Sequence, residues 1–338
     1  MKRILPIFFL LVLLLNGCGR APTSTPQGGQ EPAGTSAVAS LVPLGTPAAK
    51  YGEIARPLIS DFTNIGARVA GTDGETKAAQ YIAQVFKAIG YAPETQPFTA
   101  AAGTQSITSA NVVAVKTGSS SQEIIVGAHY DSSDAGPGAD DNASGVAVML
   151  EVAKLIHGVQ TPYTIRFIAF GAEESGLLGS FAYLNQMSQD EFQNVIVMVD
   201  LNSLVAGDIA YAYSEEGTQS TVRDWALEWA LGNGFDLQTI RNVPLTYPDK
   251  GIGSSDYVPF QAAGIPYVYF NSTDWNLGDK KGATQVDAKY GENGVIRHTK
   301  YDTLDYLNAS FPGRVDKRLD MFISVLYNLL TQYEATNQ

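Results

Sequence analysis

The chain has 338 residues, 45% of them hydrophobic, which is enough for a sizeable core and bounds the fold to one or two domains. Its formal net charge of −12 excludes a nucleic-acid surface, which needs a basic patch, and argues against direct binding to anionic lipid. The single cysteine, Cys18, excludes an intrachain disulfide and a cysteine-based zinc knuckle.

Lys2 and Arg3 open the chain, and the apolar run over 4–15 suits a signal peptide while being short for a membrane span. It ends in Leu15-Asn16-Gly17-Cys18, which resembles a bacterial lipobox. Residues 1–17 are therefore expected to be a signal peptide and Cys18 the lipidated residue, giving an exported cell-envelope lipoprotein, with full secretion as the alternative. Any membrane contact then runs through the lipid on Cys18. After Cys18, residues 19–47 are rich in Gly, Pro, Ser, Thr, Ala and Gln, a composition that forms a flexible tether. A single catalytic domain is expected over 48–338.

Within that domain, helices are predicted over 54–65 and 74–89, and short apolar strands over 111–115 and 124–128. The stretch 143–156 carries Val146, Met149, Leu150, Ala153 and Ile156 at helical spacing. Buried strands follow over 163–170 and 195–199, with Ser188 and Glu191 forming a capping box before a short helix. A strand over 209–213, helices over 221–231 and 257–263, a strand over 266–270 and a long helix over 315–333 complete the pattern. It predicts an α/β fold of three layers, with a mostly parallel, mixed sheet between helices on both faces. Ligands of such sheets gather at the carboxyl ends of the strands.

Several acidic and histidine-bearing stretches fall at those ends. They are AHYDS over 128–132, GADDNASG over 138–145, FGAEESG over 170–176, Asp200 after the apolar run 195–199, and RHTKYDT over 297–303. Carboxylates there are expensive unless something positive compensates them. Taken singly, each has an ordinary structural reading. His129 alone suits a satisfied core histidine, Asp140-Asp141-Asn142 a helix N-cap, and Asp200 a carboxylate bound to backbone amides. Asp131 shares a face with His129 in an extended segment and can orient the imidazole, and Asp302 is placed to support His298. The adjacent pair Glu173-Glu174 has no good structural account. Together they offer two histidines and three carboxylates, with one Glu to spare, which is a donor set that zinc takes. Two Zn²⁺ balance three carboxylates and one hydroxide, whereas one leaves the cluster negative.

This ordered set resembles the co-catalytic di-zinc aminopeptidases of metallopeptidase family twenty-eight, from about Tyr51 to the C-terminus. The resemblance implies the zinc-peptidase (phosphorylase/hydrolase-like) fold and two zinc ions per chain. It implies that His129 and Asp200 hold one ion, Glu174 and His298 the other, and that Asp141 bridges them. Glu173 would be the general base, moving a proton from a metal-bridging water to the leaving amine, with Asp131 behind His129. The implied partner is a peptide substrate.

Two positions depart from many relatives. Tyr257 stands in Ser255-Asp256-Tyr257 where they have a histidine, and Arg297 precedes His298 where some have an aromatic. Asp256 is a candidate for a substrate's α-ammonium or for the N-cap of the helix after it. Arg297 is a candidate for polarising a carbonyl, accepting an acidic substrate, or pointing into solvent. His157, before Gly158 at a helix end, reads as structural, and 274–294 reads as a loop rimming the pocket. Alternative activities on the same scaffold are a one-zinc glutaminyl cyclase, a carboxypeptidase and a non-catalytic binding protein. The oligomeric state is left open by the sequence.

Overall fold

A computed structural model describes residues 51–240, 254–278 and 282–335, so the leader, Cys18 and the tether lie outside the described residues. The chain enters through helices α1 (Ala55–Ile65) and α2 (Asp73–Ile89) and the hairpin β1 (Glu94–Ala102) and β2 (Gln105–Lys116). There follow β3 (Ser120–His129), α3 (Gly145–Ile156), β4 (Tyr163–Phe170), α4 (Leu178–Gln186), α5 (Gln189–Asn194) and β5 (Val195–Leu201). The second half contains β6 (Ile209–Tyr213), α6 (Thr221–Gly232), β7 (Leu237–Gln238), α7 (Tyr257–Ala262), β8 (Tyr267–Thr273), α8 (Leu304–Ser310) and α9 (Arg314–Gln332).

The strands form one sheet in the order β1-β2-β4-β3-β5-β8-β6-β7. Its centre, β4-β3-β5-β8, is parallel, β1-β2, β2-β4 and β8-β6 pair antiparallel, and β6-β7 is parallel. Helices α1, α2, α3, α6 and α9 pack on one face, and α4 and α7 on the other. The central strands are buried on both faces, as their unbroken apolar runs require. Along β3, Ile124, Val126 and Ala128 enter the first core and Ile125 the second. The α/β reading with a mixed sheet between helices therefore holds.

Strand β1 and two helices escape the sequence reading, while the expected strand over 111–115 falls inside the longer β2. Strand β1 buries only Phe98 and contains Pro97, so it shows no apolar alternation. Helix α4 contains Gly179 and Ser180, and α8 is a short helix with one buried side chain, Leu307. The capping box at Ser188 and Glu191 is present in both directions.

Helix α1 takes its cap from far away. Glu151 on α3 accepts the backbone N–H of Gly52 at 2.6 Å, of Glu53 at 3.1 Å and of Ala55 at 2.8 Å. These are donors at a helix start with no partner inside the helix, and the carboxylate suits the positive end of the helix. This anchors α1 on α3 and fixes where the segment after α1 begins. Glu151→Ala is expected to lower the unfolding free energy by about 2 kcal/mol, as for charged hydrogen bonds. Urea denaturation followed by far-UV circular dichroism measures it, and an unshifted midpoint contradicts the anchoring role.

Candidate metal centre

Strand alternation does the first part of the placing. Ile125 and Met198 face the α4–α7 side, so Gly127, His129 and Asp200 face it too. Gly127 pairs with Asp200 across the parallel ladder, which puts His129 one step beyond the carboxylate on the neighbouring strand. The turn after β4 adds Glu173 and Glu174, the irregular turn before α3 adds Asp141, and the segment before α8 adds His298.

Asp141 lies between two imidazoles. Its Oδ1 is 3.1 Å from His129 Nε2, and its Oδ2 is 3.0 Å from His298 Nε2. His298 Nε2 is also 3.0 Å from Glu174 Oε2, and His129 Nε2 is 4.0 Å from Glu173 Oε2. One ligand atom each from Asp141, Glu174 and His298 lies within 4.8 Å of the others. Asp200 accepts the Tyr257 N–H at 3.0 Å on Oδ2 and lies within electrostatic reach of His129. His129 Nε2, Asp141 Oδ1, Glu174 Oε1 and Asp200 Oδ1 are buried without a hydrogen-bond partner. Several orphaned polar atoms on one sheet edge fit a cation, because buried polar groups otherwise find partners.

Both oxygens of Asp256 are likewise buried with no hydrogen-bond partner, whereas three further acids are satisfied by the protein itself. Asp131 accepts the N–H of Glu173 at 3.0 Å and of Glu174 at 3.1 Å, and lies 3.4 Å from His129 Nδ1. Asp140 accepts the N–H of Val205 and Ala206 at 2.8 and 2.9 Å, and Gln285 Nε2 at 2.7 Å. Asp302, read from sequence as a support for His298, instead accepts the N–H of Asp140 at 2.6 Å and of Asp141 at 3.0 Å. Spacing alone does not reveal that its segment folds back on the Asp141 turn. The N-cap reading of Asp140-Asp141-Asn142 is met by its last residue and leaves both acids free of that task. It is Asn142 whose Oδ1 accepts the Gly145 N–H at 3.0 Å, while its Nδ2 donates to Leu201 O at 2.8 Å.

The electrostatics follow from this packing. Burial would raise Asp141, but the imidazoles of His129 and His298 hold its carboxyl well below the usual range. Burial opposes protonation of His129, yet the Glu173 charge and the Asp131 and Asp141 contacts push it well above its ordinary value. Hydrogen bonds to Asp141 and Glu174 lift His298 to about 10. Burial raises Glu173 well above a normal glutamate, and raises Asp200 to about 6.

Asp256 stands at the N-cap position of α7 but makes no capping bond, so that reading is not realised. Its carboxylate is fully buried near Asp200, His129 and Ser180, and burial raises it well above the usual range. The ring of Tyr257 is buried and stacked on Tyr267 at 4.2 Å, and its main chain serves Asp200. Arg297 is half-buried rather than fully solvated. Its Nη2 donates to Gly282 O at 3.1 Å, and its charge acts on Tyr213 and Tyr269. His157 packs edge-on against Tyr91, 5.0 Å between ring centroids, far from these residues in the fold.

Three supports have no signal in the sequence. Gln285 Oε1 accepts the N–H of Ile296 and Arg297 while its amide holds Asp140, tying the two segments together. Glu75 accepts the N–H of Ala172, just before Glu173, at 3.0 Å. Arg68 is fully buried against the carbonyls of Tyr130, Pro137 and Gly138. Each acts across a long sequence separation from a segment that reads as ordinary loop or helix.

Comparison with known proteins gives the chain's family and its fold. The profile described as Peptidase family M28 matches residues 111–323. The alkaline phosphatase isozyme conversion protein of Escherichia coli is 30% identical over 326 residues, which is 87% of this chain and 94% of that one. A probable lipoprotein aminopeptidase of Mycobacterium tuberculosis is 31% identical over 79% of this chain, which spans 56% of that relative. Among solved structures, a zinc aminopeptidase from Bacillus subtilis superposes with a TM-score of 0.67 at 20% identity, over 85% of this chain and 97% of that one. A glutaminyl cyclase from an Acidobacteriales bacterium gives 0.65 at 19% identity over the same shares, so the fold is common to both.

The raised His298 has a consequence for the metal-free protein. A base whose folded pKa is raised adds stability that is complete below its unfolded value and is lost as pH climbs through the folded one. With metal chelated, the melting temperature is therefore expected to fall as pH rises from 6.5 to about 10. Glu173 and Asp256, raised by burial, act in the same direction over the pH range above the ordinary carboxylate values. Restoring metal should raise the melting temperature and flatten the slope. Calorimetry with and without chelator reads both, and a chelator-insensitive curve contradicts a metal centre.

Proposed function

Because the chain belongs to peptidase family M28, we propose that it is a zinc-dependent aminopeptidase that releases N-terminal residues from peptides. The observation that carries this reading is Asp141, with one oxygen toward His129 and the other toward His298. That arrangement suits a bridging ligand between two ions. His129 and Asp200 would hold one zinc, and Glu174 and His298 the other. The orphaned atoms on these side chains support the assignment, and imidazole and carboxylate are the donors zinc takes. Bound zinc supplies Lewis acidity toward a peptide carbonyl and lowers the pKa of water.

The protein's own groups account for the proton traffic and the orientation. Glu173 is buried beside His129, and burial raises its carboxyl well above a normal glutamate, a setting that favours holding and returning a proton. In this reading it takes a proton from the attacking water and delivers it to the departing amine. Asp131 pins the main chain of Glu173 and Glu174 and stands behind His129. We assign substrate contacts to the buried carboxylate of Asp256, suited to an α-ammonium group, and to the half-buried Arg297.

A one-zinc glutaminyl cyclase is the second reading. The tight triad Asp141, Glu174 and His298 is by itself enough for a single ion, and cyclases share the fold. We further propose that residues 1–17 are a signal peptide, that Cys18 carries a lipid and that 19–47 tether the domain of 48–338 outside the cytoplasm. The basic start, the apolar run and the lipobox-like Leu15-Asn16-Gly17-Cys18 support this. Among the described residues no helix is long and apolar enough to cross a membrane.

Metal analysis after dialysis is expected to give close to two zinc per chain, whereas a steady value of one favours the cyclase. Peptides with a free N-terminus should be cleaved and their N-blocked counterparts left intact. Glu173→Gln should lower kcat by roughly 10²-fold or more, as loss of a general base does, with zinc content unchanged. Full activity in that variant removes Glu173 from its role.

A further inference from the structure

Arg68 stands behind the proposed metal centre, and its contacts are unusual for a buried arginine. Among the described residues it forms no ion pair within 4.0 Å. Its guanidinium spends its donors on main-chain oxygens instead. Nε donates to Tyr130 O at 2.7 Å, Nη1 to Pro137 O, and Nη2 to Gly138 O at 3.1 Å. Its backbone is tied to the same place, with its N–H on Ser132 Oγ at 2.9 Å and its carbonyl accepting the Ser132 N–H at 3.2 Å. The Phe62 ring covers the guanidinium carbon at 5.3 Å.

These contacts join two stretches of chain. One, 129–132, carries His129 and Asp131. The other, 137–141, leads to Asp141. The approach is close enough that a Cβ on Gly138, whose φ is +60°, would lie 3.0 Å from Arg68 Nη2 and 2.3 Å from Asp141 O. A planar fork of fixed donors holds three carbonyls at set distances in a way a lysine ammonium does not reproduce. The use of carbonyls also matters. An arginine paired directly with Asp141 or Glu174 would occupy the lone pairs a metal needs. Bound to carbonyls, it leaves those oxygens open while its charge still acts on Asp302, Asp131, Asp141 and Glu174.

We propose that Arg68 is a positioning residue for the metal centre. Its guanidinium, seated by the bonds between the Arg68 main chain and Ser132, fixes the spacing between the His129–Asp131 strand end and the Asp141 turn, and through that spacing sets the affinity for zinc. This rests on the metal-centre reading given above.

The test uses the full chain and zinc alone, with affinity measured by competition against a chromophoric chelator well below the melting temperature. Far-UV circular dichroism of the same samples reports the fold. Arg68→Lys is expected to keep the fold and weaken zinc binding about tenfold or more, the scale seen when groups supporting metal ligands are removed. A lowered melting temperature with zinc affinity unchanged would reduce Arg68 to a packing role and overturn the proposal. Should Arg68→Lys fail to fold, Ser132→Ala removes only the hydroxyl that receives the Arg68 N–H. It should weaken zinc binding by a smaller factor, and unchanged affinity there overturns the proposal equally. Wild-type protein that takes up no zinc would overturn the metal-centre reading itself, and this proposal with it.

Discussion

The contact of Asp141 with two imidazoles is the constraint on which the site depends. His129 comes from the end of β3 and His298 from a segment just before α8, so the carboxylate ties distant parts of the chain to one point. Asp141 is 4% exposed, and an ionised carboxylate there is costly unless opposed by positive charge. Without metal, that charge comes from protons on the imidazoles, which is why both imidazoles titrate above their ordinary values. Metal and proton thus compete for the same atoms. Folding of this edge and filling of the site are coupled, since the ligand atoms converge only in the folded chain.

The surrounding acids sort themselves by partner. Asp131, Asp140 and Asp302 each accept two or more amide donors, and all three are nearly or fully inaccessible to solvent. They shape the loops that carry the site. Asp141, Glu174 and Asp200 each keep one buried oxygen that accepts no hydrogen bond, and Asp256 keeps two. The distinction is physical and independent of any motif. A carboxylate satisfied by backbone amides gains little from a cation, while one held with an open lone pair in a buried position is stabilised by it.

The legibility of the chain follows the same line. Strand β4 and the interior of β3 and β5 were readable because they are continuous apolar runs, and their terminal charges stood out for that reason. The hairpin partner β1 was not readable because it lies mostly exposed at the sheet edge. Asp302 leaves its expected place at His298, and Asp256 leaves its cap reading, because spacing cannot separate a local partner from an acid that serves another segment. Gln285 and Arg68 gave no signal at all. A neutral amide in a loop and an arginine between two helices look solvated, and only the folded chain shows them buried against the site.

Glu173 and Glu174 show how adjacent residues of one type are driven to different chemistry. Both main-chain N–H groups are fixed by the two oxygens of Asp131, one each. With the backbone pinned, the two side chains diverge. Glu174 reaches 3.0 Å from His298, inside the cluster of possible ligand atoms; burial and the Asp141 charge raise its carboxyl, and the His298 hydrogen bond offsets part of that. Glu173 stops 4.0 Å from His129, and burial together with the nearby charges of Glu174 and Asp256 favours its protonated form. One carboxylate is thereby disposed to hold a cation and the other to hold a proton. The separation of roles needs no difference in residue type, only the Asp131 contact that sets their directions.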